Sequence, residues 1–166
     1  MIKYFTLTLT LLIISFNANT KSIKDYKIKA SWIKAISDNI TWHNNKKHII
    51  CTLGIDFVGL YLKELDLKDM IIKEKTQNQN FDDCHLLYIS LSEERHILDI
   101  LKAVNKYDII TISDINNFSK LGGVIEFIFE NNFIRLSING KKIEKLEEKT
   151  LYLDSYIMDV SEVVYE

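Results

Sequence analysis

The sequence predicts a single α/β domain built on a mixed, mostly parallel sheet of about six strands flanked by helices. Three observations favour this class. Apolar, β-branched runs such as His48–Leu53 show no polar alternation, which is typical of parallel strands covered on both faces. Segments with apolar residues at helical spacing lie between these runs. The last two runs are separated only by Glu130, Asn131 and Asn132, and asparagine tolerates the left-handed backbone of a tight antiparallel hairpin.

Residues 1–22 have the organisation of a secretory signal peptide, which leaves residues 23–166 as the α/β domain. A short start with a single lysine, Lys3, precedes an apolar run over 5–16 and a polar stretch over 17–22. The run of about 12 residues is too short to cross a bilayer core of roughly 30 Å as a helix. A membrane anchor and a core strand are the two alternatives for this segment.

Export of the domain has consequences for its chemistry. Removal of residues 1–22 takes away Lys3 and Lys21, so the domain is more acidic than the formal charge of −2 of the whole chain. Such a domain lacks the basic surface that nucleic-acid binding needs. No later run is apolar enough to span a membrane, so we expect a soluble product. Outside the cytosol the two cysteines, Cys51 and Cys84, are expected to form a disulfide.

The first half of the domain begins with an amphipathic helix over 22–39, whose apolar stripe contains Ile28, Trp32, Ala35 and Ile36. The strand His48–Leu53 follows and ends at a glycine. The sequence then predicts a helix over 57–65 capped by Asp56, a short strand over 70–72 and a polar loop over 74–80.

The second half continues the alternation. A strand over 84–89 leads into Ser90 and Glu93, which have the spacing of a capping box, and a helix over 93–105. The remaining expected elements are a strand over 108–112, a short helix ending at residue 120, hairpin strands over 124–129 and 133–138, and a helix from 139 to about 153. Residues 154–166 form either a tail or an edge strand.

Right-handed crossovers between sequential neighbours favour the strand order 2-1-3-4, with the hairpin extending the edge. This order places the strands of Cys51 and Cys84 side by side, so the expected disulfide is geometrically reasonable. The bridge would close a loop of about 33 residues and stabilise the domain by roughly 3–4 kcal/mol.

Motifs for catalysis and cofactor binding are absent from the sequence. Gly54 and Gly59 have the spacing of a phosphate-binding loop, but Leu60 and Tyr61 stand where lysine and serine or threonine would hold phosphate and metal. The four histidines are scattered without metal-ligand spacing: His43, His48, His85 and His96. We therefore predict no enzyme activity, no cofactor and no metal site. A ligand crevice at the strand ends near Gly54, Ser90 and Ser92 is the usual position in an open α/β sheet.

Five blocks of the chain, taken in order, resemble the YfiR family of small periplasmic regulators. The resemblance runs from about Ile28 to Leu153. It is carried by Lys29-Ala30-Ser31-Trp32-Ile33 with Trp42, by Ile50-Cys51-Thr52-Leu53-Gly54 with Phe57 and Gly59, by Cys84-His85-Leu86-Leu87-Tyr88-Ile89-Ser90, by Thr111-Ile112-Ser113-Asp114 with Phe118 and Gly122-Gly123-Val124-Ile125, and by Ile138-Asn139.

The resemblance implies a regulatory protein without an active site. Members of this family bind the periplasmic domain of an inner-membrane diguanylate cyclase of the YfiN type and repress it, which lowers cyclic di-GMP and biofilm formation. They can form homodimers, and a cysteine bridge links them to the redox state of the envelope. A periplasmic small-ligand sensor that serves another membrane receptor, such as a histidine kinase, is the alternative function.

Overall fold

The computed structural model describes residues 23–43, 47–67, 70–130 and 133–165. The predicted signal peptide, residues 1–22, lies outside the described residues. The helices are α1 (Ile23–Asp38), α2 (Val58–Glu64), α3 (Ile97–Val104), α4 (Gly140–Glu147) and α5 (Ser155–Asp159), and a 3-10 helix covers Leu91–His96. The strands are β1 (Ile40–Trp42), β2 (His48–Leu53), β3 (Met70–Lys75), β4 (Leu86–Ile89), β5 (Ile110–Ser113), β6 (Ile125–Glu130), β7 (Phe133–Asn139), β8 (Leu151–Leu153) and β9 (Ser161–Val164).

Seven strands form the main sheet in the order β3-β2-β4-β5-β6-β7-β9. All neighbours are parallel except the β6–β7 hairpin, so the mixed, mostly parallel α/β class is confirmed. The first four strands of the sheet lie in the predicted order, since β3 and β4 flank β2 on its two sides and β5 extends the sheet beyond β4. The observed sheet has seven strands, where about six were predicted. The additional strand is β9, so the C-terminal segment forms an edge strand and not a tail.

Two hydrophobic cores cover the two faces of this sheet, because successive strand residues point to opposite sides. Ile50 and Leu86 face the larger core, which includes α1, α2, α4 and α5. Cys51 and Leu87 face the smaller core, which includes α3. The central strands are therefore buried on both faces, as their continuous apolar runs predicted.

The predicted C-terminal helix is wrong beyond Glu147. Residues 151–153 instead form β8, which pairs antiparallel with β1 in a separate two-stranded sheet, with Trp42 opposite Leu151. The predicted helix after Ser113 is also wrong, since turns cover residues 116–122. Asn117 there has φ of 59°, a left-handed conformation that interrupts a right-handed helix.

The N-terminal helix presents a different face from the predicted one. Its fully buried apolar residues are Ala30, Ile33 and Ile36, whereas Trp32 is only partly buried. The capping box also forms differently, because the Ser90 hydroxyl accepts a hydrogen bond from the Ser92 N–H and not from that of Glu93. These differences change local geometry and leave the sheet order intact.

Candidate functional site

A cavity of about 660 Å³ opens at the carboxyl ends of β2 and β3. Its walls include Thr52 and Gly59 on one side and the polar residues Glu74 and Lys75 on the other, with Tyr88 also lining it. Helix α2 packs closely against β2 at this wall of the cavity, since a Cβ on Gly59 would lie 3.1 Å from the Thr52 Oγ1. This is the position at which open α/β sheets bind ligands. Of the three residues predicted for a ligand crevice, Gly54 lines this cavity, whereas Ser90 and Ser92 line a smaller neighbouring cavity of about 270 Å³, and ligand binding there stays a prediction.

The three residues predicted to line that crevice meet in one interlocked turn. Gly54 has φ of +99°, and the Ser92 Oγ accepts a hydrogen bond of 2.8 Å from the Ile55 N–H. The Ser92 hydroxyl donates in turn to the Ser90 Oγ over 3.2 Å. A Cβ on Gly54 would lie 2.6 Å from the Ser92 Oγ, so only glycine fits. Both serine hydroxyls are engaged inside the protein, and their predicted role as ligand groups stays a prediction.

A buried polar network lies beneath the same end of the sheet, and sequence reasoning missed it. The Tyr88 hydroxyl donates to the Asp56 Oδ2 over 2.6 Å and lies 3.5 Å from the Asp114 Oδ1. Asp114 forms an ion pair with Lys29 of α1, and both of these side chains are completely buried. Burial, and then the neighbouring carboxylates of Asp114 and Asp56, raise the pKa of Tyr88 well above its usual value. The phenol therefore stays protonated and remains a donor.

Four exposed apolar side chains lie on the segments at this end of the sheet, and we call them the apolar rim: Ile55, Phe57, Leu60 and Leu91. Ile55 and Leu60 line the crevice, and Leu91 lines the smaller neighbouring cavity. Ile55 is 90% exposed at the tip of the loop that follows β2. Phe57 is steadied by an edge-to-face contact of 5.6 Å with Tyr26. The backbone beneath the rim is held by the Asp56 carboxylate, which accepts a hydrogen bond from the Val58 N–H. A cluster of exposed apolar groups on a fixed backbone is typical of a protein-binding surface.

The predicted disulfide is confirmed between Cys51 and Cys84, whose Cα atoms lie 5.7 Å apart. Both residues are buried in the smaller core. The adjacent Asp83 carboxylate lies 3.7 Å from the Cys84 Sγ, but the two sulfurs are bonded to each other and offer no thiolate to a metal. Hydrogen bonds from Lys73 and Lys75 lower the pKa of Asp83 to about 2.

Two of the four scattered histidines meet at the opposite end of the sheet. His48 and His85 begin neighbouring parallel strands, and their ring centres lie 4.8 Å apart. Trp42 stacks on His48 at 4.4 Å, so we call Trp42, His48 and His85 the amino-end cluster. His43 and His96 are exposed. These histidines look scattered in the sequence, because His48 and His85 are far apart in the chain. Their contact follows from the adjacency of the two strands.

The YfiR/HmsC-like family model, DUF4154, matches residues 26–161 of this chain. The chain belongs to this family. The match covers the described domain from α1 to the start of β9 and includes the crevice, the apolar rim and both cysteines. At the level of the family the function is periplasmic regulation of diguanylate cyclase signalling, and the family is regulatory rather than catalytic.

Two solved structures share the fold. One is a conserved domain protein from Vibrio cholerae O1 biovar El Tor, with a TM-score of 0.56, 14% identity and coverage of 83% of this chain and 59% of that one. The other is an ABC domain in complex with L-Trp from Streptococcus pneumoniae, with a TM-score of 0.60, 7% identity and coverage of 84% and 60%. The chain thus spans about three fifths of each. A search of curated proteins gives no match.

Within the part of the chain that the structure describes, no helix has both the length and the apolar character needed to cross a membrane.

Proposed function

We propose that the protein is a periplasmic repressor that binds the periplasmic domain of an inner-membrane diguanylate cyclase and thereby lowers cyclic di-GMP. The observation that carries this proposal is the family match over residues 26–161. Repression needs no chemistry of its own, because a regulator that binds the inactive conformation more tightly than the active one shifts the equilibrium between them. Export through residues 1–22 brings the domain to the compartment of this partner.

The apolar rim is the surface that best suits this contact. Ile55 and Phe57 are exposed to 90% and 54%, and Leu60 to 52%, around a crevice with a fixed backbone. Apolar and aromatic side chains supply most of the binding energy at protein interfaces when a partner excludes water from them. We therefore expect the partner domain to cover the rim and to close the mouth of the crevice.

Deletion of the gene tests the function directly. The deletion strain should contain more cyclic di-GMP than the parent, and a complementing copy should restore the parental level. Cross-linking of the exported protein in cells should capture a membrane protein with a cytoplasmic cyclase domain. Unchanged nucleotide levels together with no membrane partner would remove the proposal.

A matched pair of variants tests the surface. Ile55→Asp places a charge on the rim and should abolish complementation, because burying an aspartate against an apolar partner surface costs several kcal/mol. Leu98→Asp is the control, since Leu98 is 63% exposed on α3 and lies outside the rim. Equal complementation by the two variants would place the contact elsewhere.

The crevice favours a second candidate function, a small-ligand sensor for another membrane receptor such as a histidine kinase. A cavity of about 660 Å³ at the strand ends is large enough for a metabolite. L-tryptophan is the first probe, because the streptococcal domain was solved in complex with it. A ligand should raise the melting temperature of the protein more than that of Leu60→Trp, whose larger side chain narrows the cavity. Equal shifts for both proteins would exclude this site.

A further inference from the structure

The amino-end cluster contains two buried nitrogen atoms without a hydrogen-bond partner among the residues that the structure describes. They are Nε1 of Trp42 and Nε2 of His48. The side chain of His48 is only 7% exposed. A buried polar atom that makes no hydrogen bond destabilises the folded state, and such atoms are exceptional in folded proteins. The cost indicates a site that is held closed by other interactions.

Those interactions require a neutral His85. The backbone N–H of Ile49 donates to the ring Nδ1 of His85 over 3.1 Å, and this bond needs an unprotonated Nδ1. The backbone N–H of His85 donates in return to the Ile49 carbonyl over 2.9 Å. An imidazolium carries hydrogen on both nitrogens, so protonation of His85 turns its Nδ1 from an acceptor into a donor. The Ile49 N–H would then lose its acceptor and face a second donor at the start of β2.

Protonation of His48 is also opposed by its surroundings. The charge would lie on a ring that is nine-tenths buried, with His85 edge-to-face at 4.8 Å. Stacking on Trp42 offers a compensating cation–π attraction. A buried N–H⁺ without an acceptor costs more than this attraction returns. Burial lowers the pKa of His48, with a further contribution from His85, and burial lowers the pKa of His85.

Charged groups near the cluster do not offset these effects. Lys34 and Asp38 of α1 border the cavity of about 440 Å³ beside Trp42 and His48, and they pair with each other. Asp83 favours the protonated form of His85, but its carboxylate is shared with two lysines. Among the other residues that the structure describes, His43 and Lys47 flank the cluster in sequence and are exposed.

We propose that the amino-end cluster is an acid-sensitive latch, which holds β1 and its partner β8 in place while both imidazoles are neutral and releases them when the rings are protonated. The cluster reaches the rest of the chain through the β1–β8 ladder, in which Trp42 lies opposite Leu151. Hydrogen bonds from the His43 N–H to the Thr150 carbonyl and from the Asp154 N–H to the Asn39 carbonyl extend this ladder. Release of β1 therefore loosens the connection from α4 to the C-terminal strand. This release takes place within the domain and does not depend on the proposed partner.

The test follows opening of β1–β8 by amide exchange and Trp42 emission between about pH 8 and about pH 5.5, a range in which histidines titrate. A Trp32→Phe background isolates the emission, because the chain has two tryptophans. After correction for intrinsic exchange, the opening constant should rise by up to about tenfold per pH unit for each ring below the unfolded histidine pKa of about 6.5. Emission should shift to the red over the same range.

The double variant His48→Phe/His85→Asn removes both titrating groups. It keeps an aromatic ring stacked on Trp42 and an acceptor oxygen for the Ile49 N–H. This double variant should lose the pH response, whereas His96→Gln, at an exposed histidine outside the cluster, should keep it. If the double variant does not fold, proton NMR titration of the wild-type histidines decides, and depressed midpoints for His48 and His85 support the latch. Opening that is independent of pH, or that decreases with acid, would overturn the proposal.

Discussion

Replacement of Lys29 by methionine is the most informative perturbation of the polar network. Lys29 and Asp114 are both completely buried and form a direct ion pair between α1 and the end of β5. Methionine retains most of the aliphatic stem, so the packing of α1 changes little and the loss of charge dominates. Removal of one partner from a buried ion pair typically destabilises a protein by about 3–5 kcal/mol, because the other charge remains in the interior.

The destabilisation expected for Lys29→Met has more than one source. The Lys29 ammonium lies 5.5 Å from the ring centre of Tyr26 and 5.4 Å from that of Phe129, and such contacts are worth up to about 2 kcal/mol each for a desolvated charge. The loss therefore combines these attractions with the cost of the charge left on Asp114. The double variant Lys29→Met/Asp114→Leu should recover a large part of it, since replacement of both charges by apolar groups is often neutral.

Urea unfolding of the single and double variants measures these terms as a thermodynamic cycle. Lys34→Met is the matched control on the same helix, because its pair with Asp38 is exposed to 29% and 47%. An exposed pair at this spacing contributes about 0.3–0.5 kcal/mol. If Lys29→Met cost no more than Lys34→Met, the buried ion pair would not be a major stabilising contact and the argument would fail.

Three further predictions concern the stability of the fold. Replacement of both Cys51 and Cys84 by alanine should lower the free energy of unfolding by about 3.7 kcal/mol, the chain-entropy value for a separation of 33 residues. Urea unfolding measures this loss, and a change below about 1 kcal/mol would contradict it. Gly140→Ala should displace the exposed Tyr165 ring, because the new Cβ would lie 2.4 Å from it, and should raise the melting temperature less than the helix preference of alanine alone would. In a Tyr165→Ala background the same change should be neutral or stabilising, since alanine favours the helix. The depressed pKa of Asp83, about 2, predicts stability that is present above the unfolded pKa of 3.8 and is lost as pH falls towards 2. Thermal unfolding over this range should show a weaker acid response for Asp83→Asn, and an unchanged response would refute the assignment.

The sheet was predictable because its information is local. Each central strand is a continuous apolar run, and each crossover has one favoured hand, so runs such as His48–Leu53 determine both the elements and their order. The disulfide was expected because an exported chain with two cysteines tends to pair them, and the predicted strand order made the pairing geometrically reasonable. In the structure Cys51 lies in β2 and Cys84 lies two residues before β4.

The misses involve residues whose partners are distant in the chain. Strands β1 and β8 are three residues each and pair across the whole domain, so helical spacing near residue 151 prevailed in the sequence reading. Lys29 carries no local sign of burial, because its partner Asp114 lies 85 residues away. Ser90 and Ser92 have the residue types of ligand groups, but their hydrogen bonds stay within the turn that holds Gly54 and Ile55. Packing decided each of these outcomes.

The two ends of the parallel sheet differ in how their polar groups are satisfied, and this difference suggests how the domain divides its tasks. At the carboxyl end, Asp56 accepts hydrogen bonds from Tyr88 and from the backbone beneath the apolar rim. A fully satisfied network specifies one arrangement, which is what a docking surface requires. At the amino end, the unsatisfied nitrogens of Trp42 and His48 make the closed state less stable than it could be. Strands β2 and β4 run between the two ends and are joined by the disulfide, so we expect an event at the cluster to reach the rim through them. Protonation that loosens the cluster but leaves binding at Ile55 unchanged would separate the two ends and limit the latch to stability.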